Sequence, residues 1–194
     1  MNARATDLQV GVLLAGGAGR RFLGPRHKLV TAFRGRPLIE WGLDAVRSAG
    51  LQPWVVWGAL GDDAPALGDD VVVLRNDTWA DGMATSLAVA VDRARRLDLA
   101  AITVGPADQP MIPAEAWRLV ATTPASTPIV VATYDGTPSN PVRLGREVWD
   151  LLPRTGDRGA RDLVRMRTDL VTAVTCPGTP LDIDTLEDLD RWNS

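Results

Sequence analysis

Lys28 is the only lysine in a chain with 21 basic residues, and His27 beside it is the only histidine. Upstream of the pair stands a run of small residues, Leu14, Ala15, Gly16, Gly17, Ala18 and Gly19, followed by Arg20 and Arg21. Glycines let backbone N–H groups come close to phosphate oxygens, and the arginines and Lys28 bring positive charge to the same place. Between positions 8 and 39 there are six cations and no carboxylate, although the whole chain carries a formal charge of −3. This stretch is a local anion trap, and the alternative is an ordinary glycine-rich turn. Its spacing matches neither G-x-x-x-x-G-K-S/T nor G-x-G-x-x-G with a downstream acidic ribose clamp. A single lysine among arginines points to a position that favours a compact, strongly hydrated ammonium over a planar fork.

Carboxylates appear at two further places. Asp108, in Gly105-Pro106-Ala107-Asp108-Gln109-Pro110, follows an apolar run, a place where a carboxylate and nucleotide oxygens could hold a hard divalent cation; the alternative is an ordinary aspartate at a turn start before a Pro-rich corner. Asp182 and Asp184 alternate around Ile183, which puts both on one side of an extended segment. They complete a metal site with Asp108, or Asp184 caps a final helix, and the two roles are compatible. In the loop 76–87, Gly82 precedes a helix whose first turn exposes N–H groups beside Thr85 and Ser86, a candidate anion contact or a plain helix start. The segment 154–167 is locally basic and allows the same two readings. With one cysteine, Cys176, and one histidine, disulfide scaffolds, Cys/His zinc sites and hydrolysis through a second histidine are excluded.

These groups need elements to hold them. Buried strands are expected at 8–15, 53–58, 71–74, 99–104, 128–133 and 170–175. Helices are expected at 37–49, 83–97, 113–120, 145–152, 159–166 and 185–192, from apolar spacing of three and four residues. Strands alternating with helices imply right-handed βαβ units, a mostly parallel sheet and an α/β/α three-layer domain. The seven tryptophans are scattered, and most read as core or edge packing, with a ligand cage as the alternative.

The 194 residues, 45% of them apolar, suit a single domain over 1–194. The negative balance disfavours nucleic acid or an anionic membrane as partner. No stretch reaches the roughly 18 apolar residues of a membrane span, and the first ten residues lack a signal-peptide core, so a cytoplasmic protein is expected.

In chain order, LLAGGAGRRFLGPRHKL, NDTWADGMATSL, PADQPMIP, PSNPVRLG, GDRGARDL and DIDTLEDLD resemble the MobA/MocA-like NTP transferases, nearest to the molybdenum cofactor cytidylyltransferase branch. The resemblance implies a Rossmann-like fold of the nucleotide-diphospho-sugar transferase type. It also implies Mg2+ as cofactor and transfer of a nucleotide from an NTP to a phosphorylated pterin, the molybdenum cofactor or its precursor, with release of pyrophosphate. A molybdoenzyme would then receive the product. Carried over by position, Leu14, Ala15, Gly16, Gly17, Ala18 and Gly19 hold the nucleotide, Arg20, Arg21 and Lys28 its phosphates, and Asp108 the metal. Asp182 and Asp184 share metal or acceptor binding, while Gly82, Ser86, Ser139-Asn140-Pro141 and 156–161 lie around nucleotide or acceptor. Ala15-Gly16-Gly17 resembles the guanylyl-transferring members and GMATSL, NPV and DIDT the cytidylyl-transferring ones, so CTP and GTP both stay open. Ala107 stands where many relatives have glycine before the aspartate. Two alternatives are a different phosphorylated acceptor, such as a sugar phosphate or a phospholactate-like acid, and a non-catalytic nucleotide- or cofactor-binding protein. If Lys28 and Asp108 act in the reaction, Lys28→Ala and Asp108→Ala each lower kcat by about ten-fold or more while the fold melts normally, as steady-state kinetics beside thermal melts would read.

Overall fold

The computed structural model describes residues 8–60 and 64–193. Strand β1 (Val10–Ala15) leads to a small hairpin of β2 (Ala32–Phe33) and β3 (Arg36–Pro37), and then to helix α1 (Leu38–Ser48). Next come β4 (Gln52–Trp57), β5 (Val72–Arg75), α2 (Met83–Arg96), β6 (Ala101–Pro106) and α3 (Ala114–Thr122). The chain closes with β7 (Ile129–Tyr134), β8 (Thr137–Gly145), α4 (Arg161–Met166), β9 (Val171–Thr175) and α5 (Leu186–Trp192).

Seven strands form one sheet in the order β5-β4-β1-β6-β8-β7-β9. All neighbours are parallel except those of β8, which runs against both β6 and β7. Central β1 is covered on both faces: Leu13 and Ala15 face one core, Val10 and Val12 the other. Double coverage is the reason the run is continuously apolar instead of alternating. On the Leu13 side lie α1, α3 and α5; on the other lie α2, α4 and a 3-10 turn at Arg146–Leu151. Helix α1 buries Leu38, Ile39, Gly42, Leu43, Ala45 and Val46, the stripe that a three- and four-residue spacing produces. The molecule is thus a three-layer α/β/α domain. Among the described residues no helix is long and apolar enough to cross a membrane.

Several elements differ from the sequence expectation. Strand β8 was not anticipated, because Pro138 and Pro141 interrupt its pattern and the register against β7 shifts between Val131 and Ala132. The helix expected at 145–152 is only the 3-10 turn. Strand β6 continues through Gly105 and Pro106, which pair with Leu13 and Leu14. Ala107 N–H donates to the Leu14 carbonyl, so the Pro106 nitrogen points the other way, past Val104, where pairing with β8 has ended. A proline there forfeits no ladder bond.

Trp54, Trp57, Trp117 and Trp149 are buried, in keeping with a packing role. Trp117, 2% exposed, fills the layer between α3 and the sheet. Trp117→Ala should therefore cost about 3–5 kcal/mol, read from urea unfolding midpoints; a loss under about 1 kcal/mol would show that this layer closes over the gap.

Candidate active site

The sheet order reverses at β1, with β4 and β5 to one side and β6 to the other. In such sheets the crevice beyond the carboxyl ends of the two diverging strands is the natural ligand position. The turn at 16–19 leaves β1 and the loop at 107–110 leaves β6 on the two sides of that crevice, tied by the Ala107 N–H to Leu14 carbonyl bond of 3.0 Å.

Close packing shapes the glycine turn. A Cβ on Gly16 would stand 2.4 Å from Ser86 Oγ, so only glycine lets the turn lie on that hydroxyl. Phe22, buried, donates its N–H to the Gly19 carbonyl at 2.8 Å and closes the loop, while Arg20 and Arg21 project outward. His27 holds the turn from the other side. Its Nε2 donates to the Gly17 carbonyl at 2.9 Å and its Nδ1 accepts from the Leu29 N–H at 3.3 Å. That pair of bonds fits only the neutral ring with its proton on Nε2. Burial, the largest influence, pulls the His27 pKa below 6.5 and favours the same form.

Lys28 lies under the turn at 8% exposure. Its Nζ donates to Asp108 Oδ2 and, at 2.9 Å, to Asp184 Oδ1. Burial works against the ammonium, but the charge and hydrogen bonds of the two aspartates outweigh it and raise its pKa. Arg21 reaches Asp184 Oδ2 at 2.9 Å from solvent. Asp108 Oδ1 is buried and has no hydrogen-bond partner among the described residues. Lys28→Ala would leave two carboxylates facing each other, and losing one partner of a buried pair costs about 3–5 kcal/mol. Lys28→Ala should therefore melt below the wild type, in place of the normal melting expected from the sequence.

Asp182 turns to a different partner. Its Oδ1 accepts from Gln109 Nε2 at 2.9 Å, and the same amide nitrogen donates to the Pro180 carbonyl at 3.0 Å. Gln109 Oε1 accepts from Asn140 Nδ2 at 3.3 Å, and Tyr134 donates its hydroxyl to the Asn140 carbonyl at 2.8 Å. One edge of Asp182 is open to solvent, yet desolvation on its other side, and then the charge of Asp108, push its carboxyl above the usual range. Between Asp182 and Asp184, Ile183 is fully buried and donates its N–H to the Asp108 carbonyl at 2.9 Å, so the alternation read from the sequence holds. Asp184 does not cap α5. Thr185 does, in a capping box with Asp188, because the Asp184 carboxylate is engaged by Lys28 and Arg21.

The opposite wall is organised by Asn76, which is buried. Its Nδ2 donates to Thr85 Oγ1 at 2.8 Å and Ser86 Oγ at 2.9 Å, and its Oδ1 accepts from the Thr78 N–H at 3.1 Å. Gly82 adopts φ 104°, and a Cβ there would lie 2.4 Å from the Gly156 carbonyl carbon. The 156–161 segment is thereby docked on the start of α2, with Ala84 N–H donating to the Gly156 carbonyl at 2.9 Å.

The structure thus gathers Leu14, the 15–19 turn, Lys28, Asp108 and Asp184 at one crevice and sets Asp182 just aside on Gln109. Ser86 supports the turn from beneath, buried, and Arg20 stands exposed. Among the described residues no three His, Cys, Asp or Glu side chains converge closely enough to hold a metal by themselves. Asn140 lies in the 139–141 segment that the resemblance set beside nucleotide or acceptor, whereas Asn76, Gln109 and Tyr134 were given no role by sequence reasoning. Of these three, Gln109 carried a signal as a polar residue next to Asp108, and Asn76 stood at the start of the loop 76–87.

A family model for the MobA-like NTP transferase domain matches residues 11–172. Rv0371c from Mycobacterium tuberculosis H37Rv is similar at 27% identity with a TM-score of 0.82, covering 97% of this chain and 100% of that one. A structure of the same protein in complex with manganese is 29% identical with a TM-score of 0.76, covering 95% and 97%. The inositol-1-phosphate CTP transferase from T. maritima, 15% identical with a TM-score of 0.71 over 96% of each chain, shares the fold. No curated protein matches. Since the family match spans most of the chain, from the first strand through the loops on both sides of the crevice, this protein belongs to the MobA-like NTP transferase family and is a nucleotidyltransferase that draws on a nucleoside triphosphate.

Proposed function

We propose that this protein moves a nucleotidyl group from CTP or GTP to the terminal phosphate of molybdopterin or the molybdenum cofactor and releases pyrophosphate. The observation that carries the reading is the placement of the glycine turn and Lys28 against Asp108 at the sheet's switch point. A phosphate-monoester oxygen is already anionic near neutral pH, so the attack requires no general base, and the crevice supplies charge and hydrogen-bond donors. The acceptor oxygen attacks the α-phosphorus; the bond from that phosphorus to the β-phosphate bridging oxygen breaks, and pyrophosphate leaves with the electron pair. Backbone N–H groups of the 16–19 turn and Lys28 balance the charge on the departing group.

The donor set suits a hard divalent cation. Asp108 has an unpartnered buried oxygen, and Asp184 and Asp182 add carboxylates within the same loops. Mg2+ commonly takes one or two protein carboxylates and fills its remaining positions with water and phosphate, so the absence of a three-ligand cluster is compatible with it. Asp108 and Asp184 would hold the ion, Asp182 would assist, and the ion would neutralise α- and β-phosphate oxygens. The manganese complex of Rv0371c supports a divalent cation here. The inositol-1-phosphate acceptor named for the T. maritima protein supports a second reading, in which another phosphate monoester takes the pterin's place.

The test is pyrophosphate release with molybdopterin or molybdenum cofactor as acceptor, comparing CTP with GTP, each with Mg2+ and with EDTA. Release with one nucleotide, abolished by EDTA, is expected; release only with a different phosphorylated acceptor would move the function to the second reading. Asp108→Asn, which keeps the side chain's shape, should lower kcat by about ten-fold or more without a comparable loss of melting temperature. The glycine turn also has a pH signature. Because the folded-state pKa of His27 is depressed, the stability it contributes is present in full above 6.5 and is lost as pH falls through the folded value. Thermal melts and NTP affinity should both weaken below 6.5, and His27→Leu should remove that component; an identical pH profile in the variant would show that the ring does not hold the turn.

A further inference from the structure

Lys28 has a second assignment that follows from what already surrounds it. An ammonium has three donors and no acceptor, and two of the donors are committed to Asp108 Oδ2 and Asp184 Oδ1. With Nζ at the junction of these carboxylates, its charge is spent on them and not offered to a triphosphate. The one buried oxygen left over, Asp108 Oδ1, belongs to the same carboxylate. Asp108 and Asp184 face Lys28 and Arg21, so the charges of the paired cluster cancel, while Asp182 lies just aside on Gln109. A dication added to this set makes the crevice net positive and attractive to a polyanion.

Resting on the metal-assisted transfer just described, we infer that Lys28 is the resident counter-ion of Asp108 and Asp184, displaced when a divalent cation and nucleotide bind together. The four-carbon stem lets Nζ leave the carboxylates without moving the backbone, and the freed ammonium then becomes a phosphate donor. Lys28 therefore holds two charge-balancing posts in succession, on the aspartates at rest and on the nucleotide in the loaded site. Metal alone must compete with a bound ammonium and binds weakly; metal and nucleotide assist each other, by the same factor in either order. Arg21 contributes less to this competition, because its side chain is 76% exposed and its charge is screened by solvent.

The experiment measures Mn2+ binding by electron paramagnetic resonance without nucleotide, so its outcome does not depend on which acceptor or base the enzyme uses. Lys28→Met should bind Mn2+ at least about ten-fold more tightly than the wild type, Lys28→Arg should stay near the wild type, and Arg21→Gln should shift affinity less than Lys28→Met. Mn2+ should also raise the melting temperature of Lys28→Met more than that of the wild type. Equal or weaker Mn2+ binding by Lys28→Met overturns the inference. Because Lys28 is the only lysine, lysine labelled with 15N gives a single side-chain ammonium signal in the unaltered protein. That signal should move when Mg2+ and a non-hydrolysable NTP analogue are added together. A signal that stays at its resting position while both bind overturns the inference without recourse to any variant. Pyrophosphate release, assayed separately, tests the reaction itself.

Discussion

A buried ammonium shared by two carboxylates is the interaction around which this molecule is arranged. Lys28, Asp108 and Asp184 come from segments 80 and 156 residues apart in the chain, so the cluster forms only after β1, β6 and the final helix have found their places. Such pairs are poor sources of stability, since stripping water from three charges offsets most of their attraction. Their value here lies in holding charge at one point, at the mouth of the sheet, where a nucleotide's phosphates would meet it. The hydrogen bond from Ile183 to the Asp108 carbonyl, and the capping box that starts α5 at Thr185, keep Asp184 facing the lysine instead of its own helix.

The remaining walls are built by close approach. Gly16 lies on Ser86, Ser86 is held by Asn76, and Gly82 lies on Gly156. Both glycine contacts use the missing side chain to let a neighbour approach closely, the Ser86 hydroxyl on Gly16 and the Gly156 backbone on Gly82, and all three contacts join a loop to the beginning of α2. His27 fixes the outer side of the turn through Nε2 on the Gly17 carbonyl, with Nδ1 anchoring the ring on the Leu29 N–H. The turn is therefore preorganised, with its amides set before a ligand arrives, and preorganised donors are what a charge-stabilising site requires. At the β7–β8 corner, Tyr134, Asn140 and Gln109 form a chain of hydrogen bonds ending at Asp182, which couples that corner to the aspartates.

A crevice made of carboxylates, cations and amides suits a reaction in which the nucleophile arrives already charged. The same scaffold serves a protein named for inositol 1-phosphate, which fits the general rule that a fold fixes the position of a site while the chemistry of the acceptor is chosen by the loops around it.

Several features were legible in the sequence because they are local. Apolar runs broken by glycine located β1, β4 and β6, three- and four-residue spacing located α1, α2 and α3, and the glycine turn, Lys28 and Asp108 stood out by residue type. Other features were decided only by tertiary structure, because they depend on partners remote in the chain. Strand β8 carries prolines that no central strand should tolerate in isolation, and it is held in place by β6 and β7 on its two sides. Asn76, Gln109 and Tyr134 are unremarkable letters until burial obliges their polar atoms to find one another. Lys28 illustrates the division: its type and position in the sequence marked it as a charge for phosphate, and only the folded chain could place it between Asp108 and Asp184, since an ion pair has no signature in sequence spacing when its members meet across a sheet.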